Sequence, residues 1–178
     1  MSTVSSENPI RAAVLTISDR CSRGEAVDTA GPAVATMLNE RLGARIDHAE
    51  IIPDDPQLIA SRLVTLADED YDLAVTAGGT GCAPRDQTPE ATRGVLDREL
   101  PGMAEAMRAA SLRVTPHAML SRGVVGLRGT LLIVNLPGSL RAATENLETL
   151  LPALPHAIRQ AHGKTAHPET DARPGKRA

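Results

Sequence analysis

Residues 72–92, DLAVTAGGTGCAPRDQTPEAT, decide how the rest of the chain is read. Leu73, Ala74 and Val75 make a short apolar strand that runs directly into Gly78, Gly79, Thr80 and Gly81. Glycines at a strand end let backbone N–H groups approach an anion with no Cβ in the way. Arg85 and Asp86 follow, offering a phosphate partner and a metal ligand, and Thr88-Pro89 reads as the N-cap and first residue of a helix. The loop is not a P-loop, which needs Gly-Lys-Ser/Thr after its spaced glycines, nor a dinucleotide fingerprint, whose glycines follow the first strand. Taken alone, GGTG also suits a tight strand-to-loop turn. The Arg-Asp pair beside it favours an anion site with chemistry attached.

On both sides of this stretch, extended and helical patterns alternate. Residues 12–17 are a short apolar strand. Ala30, Val34, Leu38 and Leu42 recur every fourth position and mark a buried helix face, with Gly43 as its stop. Residues 45–52 predict a more exposed strand, with Ile46, His48 and Glu50 outward against Asp47, Ala49 and Ile51. Asp55-Pro56 opens a helix whose apolar face is Leu58, Ile59, Leu63 and Leu66. Pro101-Gly102 separates the helix starting at Thr88 from one carrying Met103, Met107 and Ala110. Residues 124–127 and 131–134 predict a hairpin. Residues 139–161 are helical, with Leu140, Ala143, Leu147, Leu150, Leu154 and Ile158 on one face and Pro152 and Pro155 breaking or kinking the run.

This order predicts a three-layer α/β/α fold with a mostly parallel central sheet. One domain is expected over residues 11–162, between a flexible N-terminus (1–10) and a mobile C-terminal tail (163–178). Ligands of such sheets bind beyond the carboxyl ends of the strands. The loops 18–28, 78–88 and 135–139 should therefore converge.

Composition narrows the function. Phe and Trp are absent and Tyr71 is the only aromatic residue, so the core must be aliphatic. That absence argues against modules that stack bases on aromatic side chains. A net charge of -3 gives no general attraction to nucleic acid. Cys21 and Cys82 form no C-x-x-C pair, which argues against a disulfide framework or zinc ribbon and suits a reducing cytoplasm. Cys82 reads as a small buried residue more readily than as a reactive thiol. Residues 12–17 are too short for a signal sequence or a membrane span. The five histidines lack metal-motif spacing and read as surface or helix-end residues.

The strand-end loops supply candidate chemistry. Thr16-Ile-Ser-Asp-Arg-Cys-Ser-Arg-Gly brings hydroxyls and two arginines after the first strand, and also fits a polar surface loop. In Asn135-Leu-Pro-Gly-Ser139, Ser139 is placed as an N-cap, and free N–H groups at that helix start suit a phosphate as well. Asp86 would repel a bound anion unless a cation lay between them. With Thr88 read as the cap, Asp86 is left for Mg²⁺. Asp55 is the natural cap before Pro56, which leaves its neighbour Asp54 for a second role.

Eight blocks in order carry a resemblance: TISDR (16–20), DTAGP (28–32), Pro53-Asp54-Asp55, TAGGTG (76–81) with PRDQTPEAT (84–92), PGMAEAMR (101–108), TPHAMLSRG (115–123), NLPGS (135–139) and LLPALPHAI (150–158). From about Ala12 to Ala161 the chain resembles the MogA/MoaB family of molybdenum-cofactor biosynthesis proteins, which includes the G domains of gephyrin and its plant counterpart. The resemblance implies a MogA-like molybdopterin-binding fold, a homotrimer, and molybdopterin bound at the strand ends. In the catalytic branch, molybdopterin adenylyltransferase, the terminal phosphate of molybdopterin attacks the α-phosphorus of Mg-ATP. Adenylylated molybdopterin and pyrophosphate are released, ahead of molybdate insertion by a partner insertase.

Position by position, the resemblance makes Asp54 and Asp86 the catalytic acids and Mg²⁺ ligands. It places Ser18, Asp19, Thr76, Gly78, Gly79, Thr80, Gly81, Arg85, Ser121, Arg122, Asn135, Pro137, Gly138 and Ser139 around the substrates, molybdopterin and ATP. Leu140 stands where a proline commonly follows Gly-Ser, and Asp55 where Glu is frequent. Gln87 stands where Val is often found. The MoaB branch also carries Asp-Gln there but lacks Pro84-Arg85-Asp86, which sets this chain on the catalytic side. The competing expectation is a MoaB-like carrier that binds molybdopterin without reacting it. A nicotinamide-linked oxidoreductase is disfavoured by the missing fingerprint, and neither a nucleic-acid nor a membrane partner is expected.

Overall fold

Small and branched aliphatic residues at every second position build the central sheet, because alternate strand positions face opposite helix layers. The structure, a computed structural model, describes residues 9–163. In β1 (Arg11–Ile17), Ala12 and Val14 join one core while Ala13, Leu15 and Ile17 join the other. β3 (Leu73–Ala77) and β6 (Leu131–Leu136) are buried along their whole length, as expected for parallel strands covered on both faces. With β2 (Arg45–Ile52), β4 (Arg98–Glu99) and β5 (Val125–Arg128) they form one sheet in the order β2-β1-β3-β6-β5-β4. The first four strands in that order are parallel; β5 and β4 run antiparallel at one edge.

The helices divide between the two faces. α2 (Ala30–Leu42), α5 (Pro101–Leu112), α6 (Leu140–Leu150) and α7 (Leu154–Ala161) cover one face through Val34, Leu38, Met107, Leu147 and Ile158. α3 (Pro56–Asp68) and α4 (Thr88–Arg93) cover the other through Ile59, Leu63, Leu66 and Ala91. A single turn, α1 (Asp19–Ser22), and a 3-10 helix (Pro116–Leu120) lie in the connections. The expected three-layer fold is observed. Asp55 caps α3 by accepting the Leu58 N–H at 2.8 Å, and Gly43 ends α2 in the left-handed region at φ 62°. Pro152 lies in the break between α6 and α7, and Pro155 sits in the first turn of α7, where its missing N–H costs nothing.

Three local expectations are corrected. In β2 the pairing jumps from Ala12↔Ile46 to Ala13↔His48, so Asp47 is the extra residue of a bulge. Beyond it His48 and Glu50 turn toward α3, where Arg62 bonds Glu50 at 2.7 Å, and Asp47, Ala49 and Ile51 are the exposed set. Leu140 is exposed at the mouth of α6 and does not belong to the buried stripe. The helix from Thr88 stops at Arg93, because the following chain bends at Gly94 and pairs as β4 with Gly126 and Leu127. Tyr71 is buried just before β3, with the Arg11 guanidinium 4.4 Å above its ring. Residues 1–8 of the expected N-terminal segment and all of the expected tail but Gly163 lie outside the described residues.

Leu147 packs α6 onto the sheet with no exposed surface. Leu147→Ala is expected to lower the unfolding free energy by about 2–5 kcal/mol, read as a shifted denaturant midpoint with unchanged slope. A loss within about 0.5 kcal/mol, the range of ordinary surface changes, would contradict this packing.

Candidate functional site

The chain leaves β1 for β2 on one side and returns to β3 on the other, so a crevice opens at the carboxyl ends of β1 and β3. Backbone bonds bring the strand-end loops to it. Ser18 N–H donates to Ile52 O at 2.9 Å, Gly78 N–H to Leu136 O at 3.0 Å, and Thr88 N–H to Gly79 O at 3.1 Å. Gly78 and Gly79 have φ of 119° and 62°, which other residues rarely adopt. A Cβ on Gly138 would stand 3.2 Å from Gly78 Cα, so the second and third loops meet backbone to backbone. The result is a polar cavity of about 260 Å³ bordered by Ser18, Asp28, Asp54, Gly79, Asp86 and Gly138. The three loops converge as expected.

Acidic groups organise this cavity. Asp54 Oδ2 accepts the Asp19 N–H at 2.8 Å, and Asp54 N–H donates to Asp19 Oδ1 at 3.1 Å. Arg85 grips the same Asp19 carboxylate with Nε at 3.0 Å and Nη2 at 2.9 Å. That guanidinium holds the Asp19 carboxyl below the usual aspartate range, against some desolvation. Asp54 is pushed the other way. Burial raises its pKa, the Asp19 N–H opposes this, and the negative charges of Asp19 and Asp86 raise it further. Asp86 turns Oδ2 to the Ala83 N–H at 2.8 Å, within its own loop. Asp28 accepts from Thr16 Oγ1 at 2.6 Å and from Gly31 N–H at 2.9 Å, fixing the entry to α2.

The residues named from the sequence fall into three groups. Ser18, Asp54, Gly78, Gly79, Asp86 and Gly138 border the acidic cavity. Thr80, Gly81, Ser121 and Pro137 border a second, more apolar cavity of about 250 Å³. Arg108, Ser111, His117, Glu145 and Asn146 also line it, and no spacing signal in the sequence pointed to them. The others are engaged by partners within the protein, and Arg122 also borders a third cavity with Asp86. Asn135 and Thr76 are buried: Asn135 Nδ2 donates to Thr76 Oγ1 and Thr92 Oγ1, both at 3.0 Å, and Oδ1 accepts from Val124 N–H at 3.3 Å. Arg85 and Asp19 bind one another, and Ser139 caps α6 through the Ala142 N–H at 3.3 Å. Arg122 Nε donates to Gly81 O at 2.7 Å, and its remaining nitrogens reach Glu90 and Asp86 O.

Two further expectations change. Thr88 is the first residue of α4 and does not cap it; Gln87 holds the cap position. The Thr88 hydroxyl is buried without a partner beside Gly79. Asp86 is kept off the helix end by its own turn and not by a competing cap. Cys82 is exposed, its thiol 3.5 Å from Leu120 O, while Cys21 borders the acidic cavity.

Among the described residues no group of three or more His, Cys, Asp or Glu side chains could hold a metal by itself. Mg²⁺ is ordinarily held by one or two carboxylates together with substrate phosphates. Asp54 and Asp86 fit that pattern. A Cβ on Gly79 would come within 3.1 Å of Asp54 Oδ1 and one on Gly81 within 2.8 Å of Asp86 Oδ2, so the glycines keep space open against both carboxylates.

The sequence profile of the family described as "Probable molybdopterin binding domain" matches residues 13–156. A Helicobacter pylori protein named molybdopterin adenylyltransferase is 44% identical over 151 residues, covering 84% of this chain and 86% of its own length. Gephyrin of Dictyostelium discoideum is 42% identical over 154 residues, covering 82% of this chain, which spans only 21% of that longer protein. Among solved structures, the molybdopterin biosynthesis enzyme MoaB of Thermus thermophilus superposes with a TM-score of 0.81 at 51% identity, covering 87% of this chain and 98% of its own.

Because the folded state holds the Asp54 proton more tightly than the unfolded chain does, this group's stabilising contribution is present at acid pH and lost as pH rises through the raised pKa. Followed by ¹³C NMR, the Asp54 carboxyl is expected to titrate above the ordinary aspartate value of about 3.9. Asp19→Asn, which removes a like charge, should bring it down. A midpoint at or below the ordinary value in the unmodified chain contradicts the burial described here.

Proposed function

This chain belongs to the molybdopterin-binding family of molybdenum-cofactor biosynthesis proteins, and from that premise we propose that it is a molybdopterin adenylyltransferase. The observation that carries the reading is the placing of Asp54 and Asp86 on one cavity floored by glycine backbone, beside a second cavity reached along the same loop at Thr80 and Gly81. The acidic cavity suits the polyphosphate of ATP, and the more apolar one suits the pterin, with Ser121 and Pro137 on its wall.

In the reaction, an oxygen of the molybdopterin phosphate forms a bond to the α-phosphorus of ATP. The bond from that phosphorus to the bridging oxygen breaks, and pyrophosphate leaves with the electron pair. Such transfers need positioning and charge neutralisation more than covalent work by the protein. Backbone N–H groups of Gly79–Gly81 serve the anion, the Gly78 N–H being taken by Leu136 O, and Ser18 and Gly138 flank it at the other two loops. Thr76 and Asn135 act beneath the surface by holding β3, β6 and α4 in register. Mg²⁺ held by Asp86 and Asp54 with phosphate oxygens would supply the positive charge that offsets the build-up on the α-phosphate and leaving group. The raised pKa of Asp54 fits a carboxylate whose charged form awaits a cation. A homotrimer, a cytoplasmic setting and delivery of product to a molybdenum insertase belong to the same reading, on the strength of the family resemblance.

A binding-only carrier is the second reading, favoured by Gln87 directly after Asp86, a pair that the MoaB branch also carries. Incubation with molybdopterin, ATP and Mg²⁺ separates the two: adenylylated product and pyrophosphate support the enzyme, and binding without product supports the carrier. Asp86→Asn is expected to bind molybdopterin normally while losing turnover by about a hundredfold or more, about 3 kcal/mol of transition-state stabilisation. A near-normal rate in that variant would remove Asp86 from the chemistry.

A further inference from the structure

We propose that Arg122, braced by Glu90, is a positioning residue for Asp86 and does not bind substrate; this rests on the adenylyltransferase reading for its consequence in catalysis. Asp86 closes a turn that starts at Ala83, within a loop that starts at Gly81. Within the turn, Asp86 N–H donates to Ala83 O at 2.9 Å and Asp86 Oδ2 accepts from Ala83 N–H at 2.8 Å, so the direction of the carboxylate is set by the turn itself. One guanidinium holds both ends of the loop, Gly81 and Asp86. Arg122 Nε donates to Gly81 O at 2.7 Å, and Nη2 donates to Asp86 O. Nη1 meets the Glu90 carboxylate in the first turn of α4, and the Arg122 backbone N–H donates to Thr80 O at 2.9 Å.

Each guanidinium nitrogen thus has a protein acceptor, and Arg122 borders neither of the two cavities assigned to the substrates; the cavity it does border, with Asp86 and Glu90, is a third one of about 490 Å³. The planar fork of arginine can bond two carbonyls and a carboxylate at once, in fixed directions. A lysine ammonium is a point charge on a flexible stem and cannot reproduce that geometry. Glu90 supplies the one charged partner and so fixes the plane of the fork. The clamp starts one residue after Ser121, which lines the second cavity, so a single stretch of chain borders one cavity and secures the acid of the other.

The test compares the unmodified chain with Arg122→Lys and Glu90→Gln. Both variants are expected to show amide hydrogen exchange in residues 81–86 faster by about tenfold, since that turn loses its tether. Mn²⁺ binding in the presence of ATP, read by electron paramagnetic resonance, should weaken in both. In turnover, kcat should fall by about tenfold or more while KM for molybdopterin stays within about twofold, the signature of a displaced catalytic group. Exchange rates matching the unmodified chain would overturn the clamp. So would a raised KM with unchanged kcat, which would make Arg122 a substrate ligand. If Arg122→Lys does not fold, Glu90→Gln carries the same readouts. If the unmodified chain forms no adenylylated product, the adenylyltransferase reading fails, and the exchange rates alone decide the clamp.

Discussion

Asn135 sits one residue before the end of β6, cut off from water, and its amide must find partners inside the protein. It finds them on three neighbouring segments: Thr76 on β3, Thr92 on α4 and the Val124 N–H ahead of β5. Those segments lead into or out of the loops that make the two cavities. An apolar residue of similar size at 135 would take a partner from two buried threonine hydroxyls and a backbone N–H. The amide therefore fixes the strand ends relative to one another, and the glycines beyond it can then approach closely without side chains to hold them apart.

A second level of order is electrostatic. An anion site lined by acids is a contradiction unless the acids are held for a cation, and each carboxylate here is placed with that constraint. Asp19 is neutralised by Arg85 and turned into a backbone anchor for Asp54. Asp28 is spent on Thr16 and the start of α2. Asp54 and Asp86 remain facing the cavity, and burial and like charge together raise the pKa of Asp54.

Much of this was legible in the residues. An aliphatic core with no Phe or Trp leaves clean alternation and clean helical faces, so the strands, the α/β order and the meeting of three strand-end loops followed from pattern alone. Charge pairing did not. Arg85 reads as a phosphate partner beside the glycine loop and Arg122 as a substrate contact through the family resemblance, and neither reading shows that Asp19, Glu90 and two carbonyls already occupy them. Asn135 and Thr76 read as pocket residues through the same resemblance, although their side chains are buried beneath the pocket. Thr88 looked like a cap, but its N–H goes to Gly79 O, so the glycine loop itself starts α4. The bulge at Asp47 was invisible because one inserted residue reverses every later position of β2 without changing its composition.

The lone aromatic ring also shapes how this protein can be watched. Tyr71 is enclosed under Arg11 at the amino-terminal end of β3, roughly 20 Å along the strand from Gly78 by the usual rise per residue. Its ultraviolet signal is a reporter of the core and is insulated from events at the rim. With no indole to absorb or emit, the optical window of a bound pterin stays clear, so occupancy and unfolding can be followed in one cuvette as separate colours.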